Sequence, residues 1–156
     1  MRKSVLTLVA LGLALAALAA FAPVAAAEPA APAAEKSLYL RLGGYDAIAA
    51  VVDDFVPRLA TDPQLAPFFA GHSQDTLQRI RQHVVDQLCQ ATGGPCIYTG
   101  RDMKTAHHGL GITGAQWDLS VAHLVESLDK YKVPAQEKQE LLAIASTLKA
   151  QIVEKP

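Results

Sequence analysis

No stretch of this 156-residue chain concentrates charge of one sign. Its 14 Lys and Arg stand against 15 Asp and Glu, for a formal net charge of −1 with histidine neutral. Without a basic patch or stripe, nucleic acid is not an expected partner. β-Strand signals are few and no internal repeat is present, which points away from sheet-based and solenoid architectures. Cysteine is limited to Cys89 and Cys96. Neither lies near the N-terminus, so no lipid anchor is expected there. The five histidines include no pair at a recognised zinc spacing, which weighs against a dedicated zinc or copper module.

Long hydrophobic runs are confined to the N-terminus. Arg2 and Lys3 precede an apolar run from Val5 to Phe21, and Ala25-Ala26-Ala27 offers a small-residue cleavage site. Residues 1–27 read as a secretory signal peptide cleaved after Ala27. An uncleaved anchor is the competing reading, because the run is about long enough to span a bilayer. Pro23 and the alanine cluster favour processing, and no stable membrane insertion is expected afterwards. Residues 28–36, Pro/Ala-rich from Glu28 to Ala34, read as a flexible leader. The expected location is periplasmic or secreted.

Residues 37–156 then form one domain, large enough for a real core. Cleavage removes two positive charges and no acid, leaving the mature chain at −3. An oxidising compartment permits a disulfide between Cys89 and Cys96. Their separation of seven leaves that geometrically open, as against a buried free thiol.

The apolar pattern is helical throughout. Ser37 can cap a short helix that Gly43-Gly44 ends, and Asp46 opens a second carrying Ile48, Val51, Val52 and Phe55 on one face. Pro57 should kink that helix or shift its last turn. Asp62-Pro63 marks a turn and Gly71 ends a short apolar segment. A longer helix from Ser73 carries Leu77, Ile80, Val84 and Leu88 in one stripe, and Gly93-Gly94-Pro95 stop it. Thr113 can cap a helix with Trp117, Val121, Leu124 and Leu128. Val133-Pro134 start a last helix that runs through Leu148.

The segment Tyr98–Ile112, YTGRDMKTAHHGLGI, puts His107 at the end of a short helical stretch, with Gly109 and Gly111 turning the chain away. Taken alone this is a polar helix end with two exposed histidines. Together with SLYLRLGG, AIAAVVDDF, DPQLAPFF, GGP followed by YTG, and HGLGIT, in that order, it resembles the group 1 truncated haemoglobins. The likeness runs from Ser37 to about Val153. Periodicity alone establishes only a small all-α domain. The resemblance implies a shortened globin, with two antiparallel helix pairs sandwiching haem in a 2-on-2 arrangement.

The implied cofactor is haem b, since neither cysteine belongs to a Cys-x-x-Cys-His motif for covalent attachment. His107 maps to the proximal iron ligand. Phe69, with Phe68, maps to the residues packing on the haem face. Tyr98, Met103, Ile112, Trp117 and Val121 map to the pocket wall, although ordinary core packing reads the same way. Lys104 is either a propionate partner or a solvated lysine. On the distal side the chain departs from familiar members. Val56 stands where many carry Tyr, Val84 where many carry Gln, and Ile80 at another often polar position. Tyr and Gln donate hydrogen bonds to bound dioxygen, so their absence removes that stabilisation. His83 matches a position from which some cyanobacterial members supply a second axial histidine; its other reading is a solvent-facing residue near a propionate. His72 and His123 read as structural or exposed.

The expected function is binding of oxygen or another diatomic gas, nitric oxide or carbon monoxide, at haem iron. A bis-histidyl electron-transfer or redox-sensing protein, with a redox partner of unspecified identity, is the second reading. Nitric-oxide dioxygenation and weak peroxidase activity are the enzymatic forms the family allows. Peroxidase chemistry needs a distal base and a polar group, for which His83 alone is a poor set.

Overall fold

The computed structural model describes residues 36–155. The signal-peptide and most of the leader assignments, residues 1–35, fall outside them. Seven α-helices follow in order: α1 (Leu38–Arg41), α2 (Gly44–Thr61), α3 (Gln74–Ala91), α4 (Met103–His107), α5 (Gly114–Lys130), α6 (Ala135–Ser146) and α7 (Lys149–Ile152). A 3₁₀ turn, Ala66–Phe68, joins α2 to α3. The described residues form no sheet; one isolated parallel bridge pairs Thr113 with Lys155. None of these helices is long and apolar enough to cross a membrane.

Helix starts follow local side-chain chemistry. Ser37 Oγ accepts from Leu40 N at 3.4 Å, and Ser73 Oγ accepts from Thr76 N at 3.3 Å. Thr113 and Gln116 form a reciprocal capping box that opens α5. The second helix begins at Gly44, two residues before Asp46, because Gly43 takes φ +97° and turns the chain directly into it. That helix continues beyond Pro57 to Thr61, whose hydroxyl donates to the Pro57 carbonyl at 2.8 Å.

The expected single last helix is two. Ser146 Oγ donates to Ala143 O and Thr147 Oγ1 to Ile144 O, both at 2.7 Å. Hydroxyls bonded back to the preceding turn compete with the backbone ladder, and the chain breaks at 147–148 before α7.

Helix α2 packs on both α3 and α5, α1 on α2 and α6, and α4 on α7. One core cluster joins Ile48, Val52 and Val56 of α2 to Val85 and Cys89 of α3. A second joins Leu38 and Val51 to Leu124, Leu128 and Leu141. Val52, Val85 and Leu128 are essentially fully buried, each stabilising the fold by about 1.5–3 kcal/mol relative to exposure.

Cys89 and Cys96 form a disulfide with Cα atoms 5.7 Å apart. It ties the end of α3 to the loop leading to Tyr98. Gly94 allows this closure: a Cβ there would lie 2.7 Å from Cys89 Sγ and 2.5 Å from the Tyr39 ring. Replacing both cysteines with Ser should lower stability by about 2 kcal/mol, from the short loop released in the unfolded chain. Urea unfolding of the variant beside the oxidised protein checks this.

Asp54, on α2, cross-links the bundle. Its carboxylate accepts from Arg58 Nε at 2.6 Å, from Lys130 Nζ, and from Ser127 Oγ at 2.9 Å, with only 12% of its side chain exposed. Lys130 first, then Arg58, hold its pKa well below the usual carboxylate range. A depressed folded-state pKa adds stability that is full above the unfolded value of about 4 and is lost as pH falls through the folded one. Asp54→Asn should cost about 2 kcal/mol at pH 7. Urea titrations at pH 7 and pH 3 should show the gap between variant and parent narrowing in acid.

Candidate haem site

A cavity of about 640 Å³ lies among α2, α3, α4 and α5, with Ala145, Leu148 and Ile152 of the C-terminal segment completing its wall. Its surface is mainly aliphatic and aromatic. Phe55, Val56 and Leu59 come from α2, Ile80, Val84 and Leu88 from α3, and Trp117, Val121 and Leu124 from α5. Phe68 and Phe69 enter from the 3₁₀ turn and its end. A flat apolar molecule with a few polar substituents suits such a slot. A second cavity, about 140 Å³ between α2, α5 and α6, carries no histidine or basic group.

His107 is the last residue of α4. Asp102 caps this five-residue helix, its carboxylate accepting from Thr105 N at 2.9 Å. The ring Nδ1 lies 2.8 Å from the Met103 carbonyl oxygen, one turn back. A carbonyl can only accept, so Nδ1 carries the proton, and in the neutral ring Nε2 keeps its lone pair. No described group occupies Nε2 with a hydrogen bond, and the ring is part of the cavity wall. This is the arrangement that metal-bound imidazoles adopt: one nitrogen anchored to the protein, the other free to donate electrons.

His83, on α3, also lines the cavity. Its Nδ1 is buried without a hydrogen-bond partner, a cost of about 1–3 kcal/mol for a group left unsatisfied. Its ring meets that of Tyr98 edge-on at 5.8 Å. Tyr98 is held at both ends: its N–H donates to Gln90 Oε1 and its hydroxyl to the Arg101 carbonyl, each at 2.6 Å. Burial first, then the Asp102 carboxylate, push the phenol above its ordinary pKa, so it remains a neutral donor.

The structure gathers Phe68, Phe69, Ile80, His83, Val84, Tyr98, Met103, His107, Ile112, Trp117 and Val121 around this one cavity. Lys104 is exposed and lies outside the wall. The basic groups that reach it are Arg79 and Arg101, which sequence reasoning missed. Arg79 sits one residue before Ile80, and that adjacency to an apolar stripe was the available signal. His72 is exposed but contributes to the rim. His123 is elsewhere, with Nε2 3.0 Å from the Asp62 carboxylate. Gln87, one turn beyond His83, is a further polar wall residue that the pattern did not mark.

The distal positions carry no hydroxyl or amide at Val56, Ile80 or Val84, all of which border the cavity. The hydroxyl of Ser120 is committed to the Trp117 carbonyl at 2.7 Å, and Gln116 is committed to the Thr113 cap. Beside Arg79 and Arg101, the polar side chains left for chemistry at the cavity are His72, His83, Gln87 and His107.

Comparison with known proteins identifies the family and the fold. A model of the bacterial-like globin family matches residues 37–154. The group 1 truncated hemoglobin GlbN of Mycolicibacterium paratuberculosis is 36% identical over 120 residues, covering 77% of this chain and 86% of that protein. Among solved structures, THB1 of Chlamydomonas reinhardtii superposes with a TM-score of 0.64 at 34% identity, covering 77% of this chain and 98% of that one. A 2/2 hemoglobin from Synechococcus, solved in the cyanomet state with covalently attached heme, gives 0.66 at 27% identity, covering 74% and 95%. Matched over nearly its whole described length, the chain is a haem-binding globin of the bacterial-like globin family, homologous to the group 1 truncated haemoglobins.

Proposed function

We propose that this chain is an exported haem b globin that binds an uncharged diatomic gas, with His107 as the proximal axial ligand. The observation that carries the reading is the His107 Nδ1–Met103 carbonyl bond, which leaves Nε2 as a free donor at the wall of the cavity. When bound, haem supplies an iron centre with a coordination position for a small gas. The chain's own residues do the rest. Phe68, Phe69, Val84 and Trp117 provide apolar surface for the macrocycle and exclude water. Arg79, steadied by Thr76 Oγ1 at 3.0 Å, and Arg101 are the cations available to the propionates. Val56, Ile80 and Val84 offer no hydrogen bond to a polarised ligand, which favours carbon monoxide and nitric oxide relative to dioxygen. Export accords with the Cys89–Cys96 disulfide, a bond that persists in oxidising compartments.

The place of His83 on the cavity wall supports a second reading, in which His83 would hold the iron together with His107 and the protein would transfer electrons or gate gas entry. Electron transfer is easier when coordination need not change with redox state.

Absorption spectra of the haem-loaded mature domain, beside His107→Ala and His83→Ala, separate these readings. His107→Ala should weaken haem retention by more than the ~10–100-fold lost when a residue that only orients a ligand is removed. Retention unchanged in His107→Ala would overturn the proximal assignment. Sharp low-spin ferrous bands lost in His83→Ala would establish the bis-histidyl reading. A high-spin spectrum indifferent to that change would eliminate it.

Restoring a distal donor should reverse the ligand preference. Val56→Tyr is expected to slow dioxygen release by about 10-fold, the value of one hydrogen bond to a charged acceptor, with little change for carbon monoxide. Flash-photolysis and stopped-flow rates of the two gases check it.

A further inference from the structure

The C-terminal tail ends on the segment that follows His107. Beyond α7 the chain extends, and the backbone N–H groups of Glu154 and Lys155 both donate to the Ile112 carbonyl, at 2.9 and 3.1 Å. Gly114 N returns a bond to the Lys155 carbonyl at 3.1 Å. Between these anchors the Glu154 carboxylate spans the loop. One oxygen accepts from Gly109 N at 2.8 Å and the other from Gly111 N at 2.6 Å. His108 Nδ1 stands 3.4 Å from the first oxygen.

Within the loop itself the backbone supplies one bond, from Leu110 N to the His107 carbonyl at 3.2 Å. Gly109 and Gly111 take φ of +81° and +66°, a conformation glycine adopts freely and does not lock. Residues 108–110 are exposed. Helix α4 has five residues, too few to be stable unaided. The carboxylate supplies two charge-assisted bonds that close the loop two and four residues after the histidine.

We propose that Glu154 is the positioning residue for the haem-binding histidine: by clamping Gly109 and Gly111 it fixes the end of α4, and with it the direction in which His107 Nε2 presents its lone pair. The inference rests on the reading of His107 as the axial ligand. It assigns to a residue 47 positions away in sequence the stiffness that the short helix lacks. Loss of the clamp should leave the iron–histidine bond formed but poorly oriented.

The test uses the haem-loaded ferrous protein and Glu154→Ala and Glu154→Gln, with His107→Ala as control. Resonance Raman reads the iron–histidine stretching band, and transfer to excess apomyoglobin reads the haem-loss rate. Glu154→Ala should shift or broaden the band and speed haem loss by about 10–100-fold. Glu154→Gln keeps the size but offers one acceptor to two donors, and should fall between. Glu140→Ala, at the remote ion pair with Arg41, serves for general destabilisation and should leave the band in place. If Glu154→Ala fails to fold, Glu154→Gln and amide exchange at Gly109 and Gly111 in the haem-free protein decide the matter. Those amides should be protected in the parent and exposed in the variant. A band unmoved in every folded Glu154 variant, with haem loss within twofold of the parent, overturns the inference. Persistence of the band in His107→Ala would instead sink the axial-ligand reading on which it rests.

Discussion

A single hydrogen bond gives the site its chemistry: Nδ1 of His107 donating to the Met103 carbonyl four residues back. Within a five-residue helix that bond is one of few fixed points, yet it decides which ring nitrogen keeps its electrons. Were the proton on Nε2 instead, the cavity would meet a hydrogen-bond donor where the proposed role of His107 calls for a lone pair. The surrounding structure can be understood as support for this one orientation. Asp102 caps the start of α4, and Met103, whose carbonyl accepts the bond, is itself buried. The end of α4 is held by the C-terminal tail, with Glu154 across Gly109 and Gly111.

The opposite wall is built on different lines. Helices α2 and α3 face each other through Val52, Val56, Val85 and Cys89, an apolar seam flanked by the Arg81–Asp53 ion pair and by Gln82 donating to the Tyr45 hydroxyl. That seam leaves Ile80, His83 and Val84 bordering the cavity. The disulfide at the end of α3 then joins the seam to the loop carrying Tyr98, whose ring meets His83. Hydrogen bonds around a histidine set the α4 side of the slot, and an apolar seam sets the positions of Val56, Ile80 and Val84.

Much of this could be read from the chain because it is encoded locally. Ser37, Ser73 and Thr113 mark helix starts by side-chain chemistry within three residues, and Gly93-Gly94 marks a stop. Wall residues such as Ile80 and Val84 follow from helical spacing together with the family likeness. What was hidden depends on distance in sequence. Nothing around Lys104 says that Arg79 and Arg101 would reach the cavity instead, because that depends on how α3 and the 98–102 loop meet. The break between α6 and α7 hinges on two hydroxyls that could equally have faced solvent. Spacing left the pairing of Cys89 with Cys96 open, and only the turn at Gly94 brings them together. Glu154 looks like an ordinary acidic tail residue until the tail is seen lying against Ile112.

The tautomer of His107 is the most direct measurement of the central claim. Nitrogen-15 chemical shifts of the imidazoles in the haem-free, folded domain at neutral pH report which ring nitrogen is protonated. The account requires a His107 ring with Nδ1 protonated and Nε2 bare before any haem is added. A ring protonated at Nε2, or one exchanging freely between the two forms, would contradict it, because the protein would then not have prepared the ligand that the cavity needs.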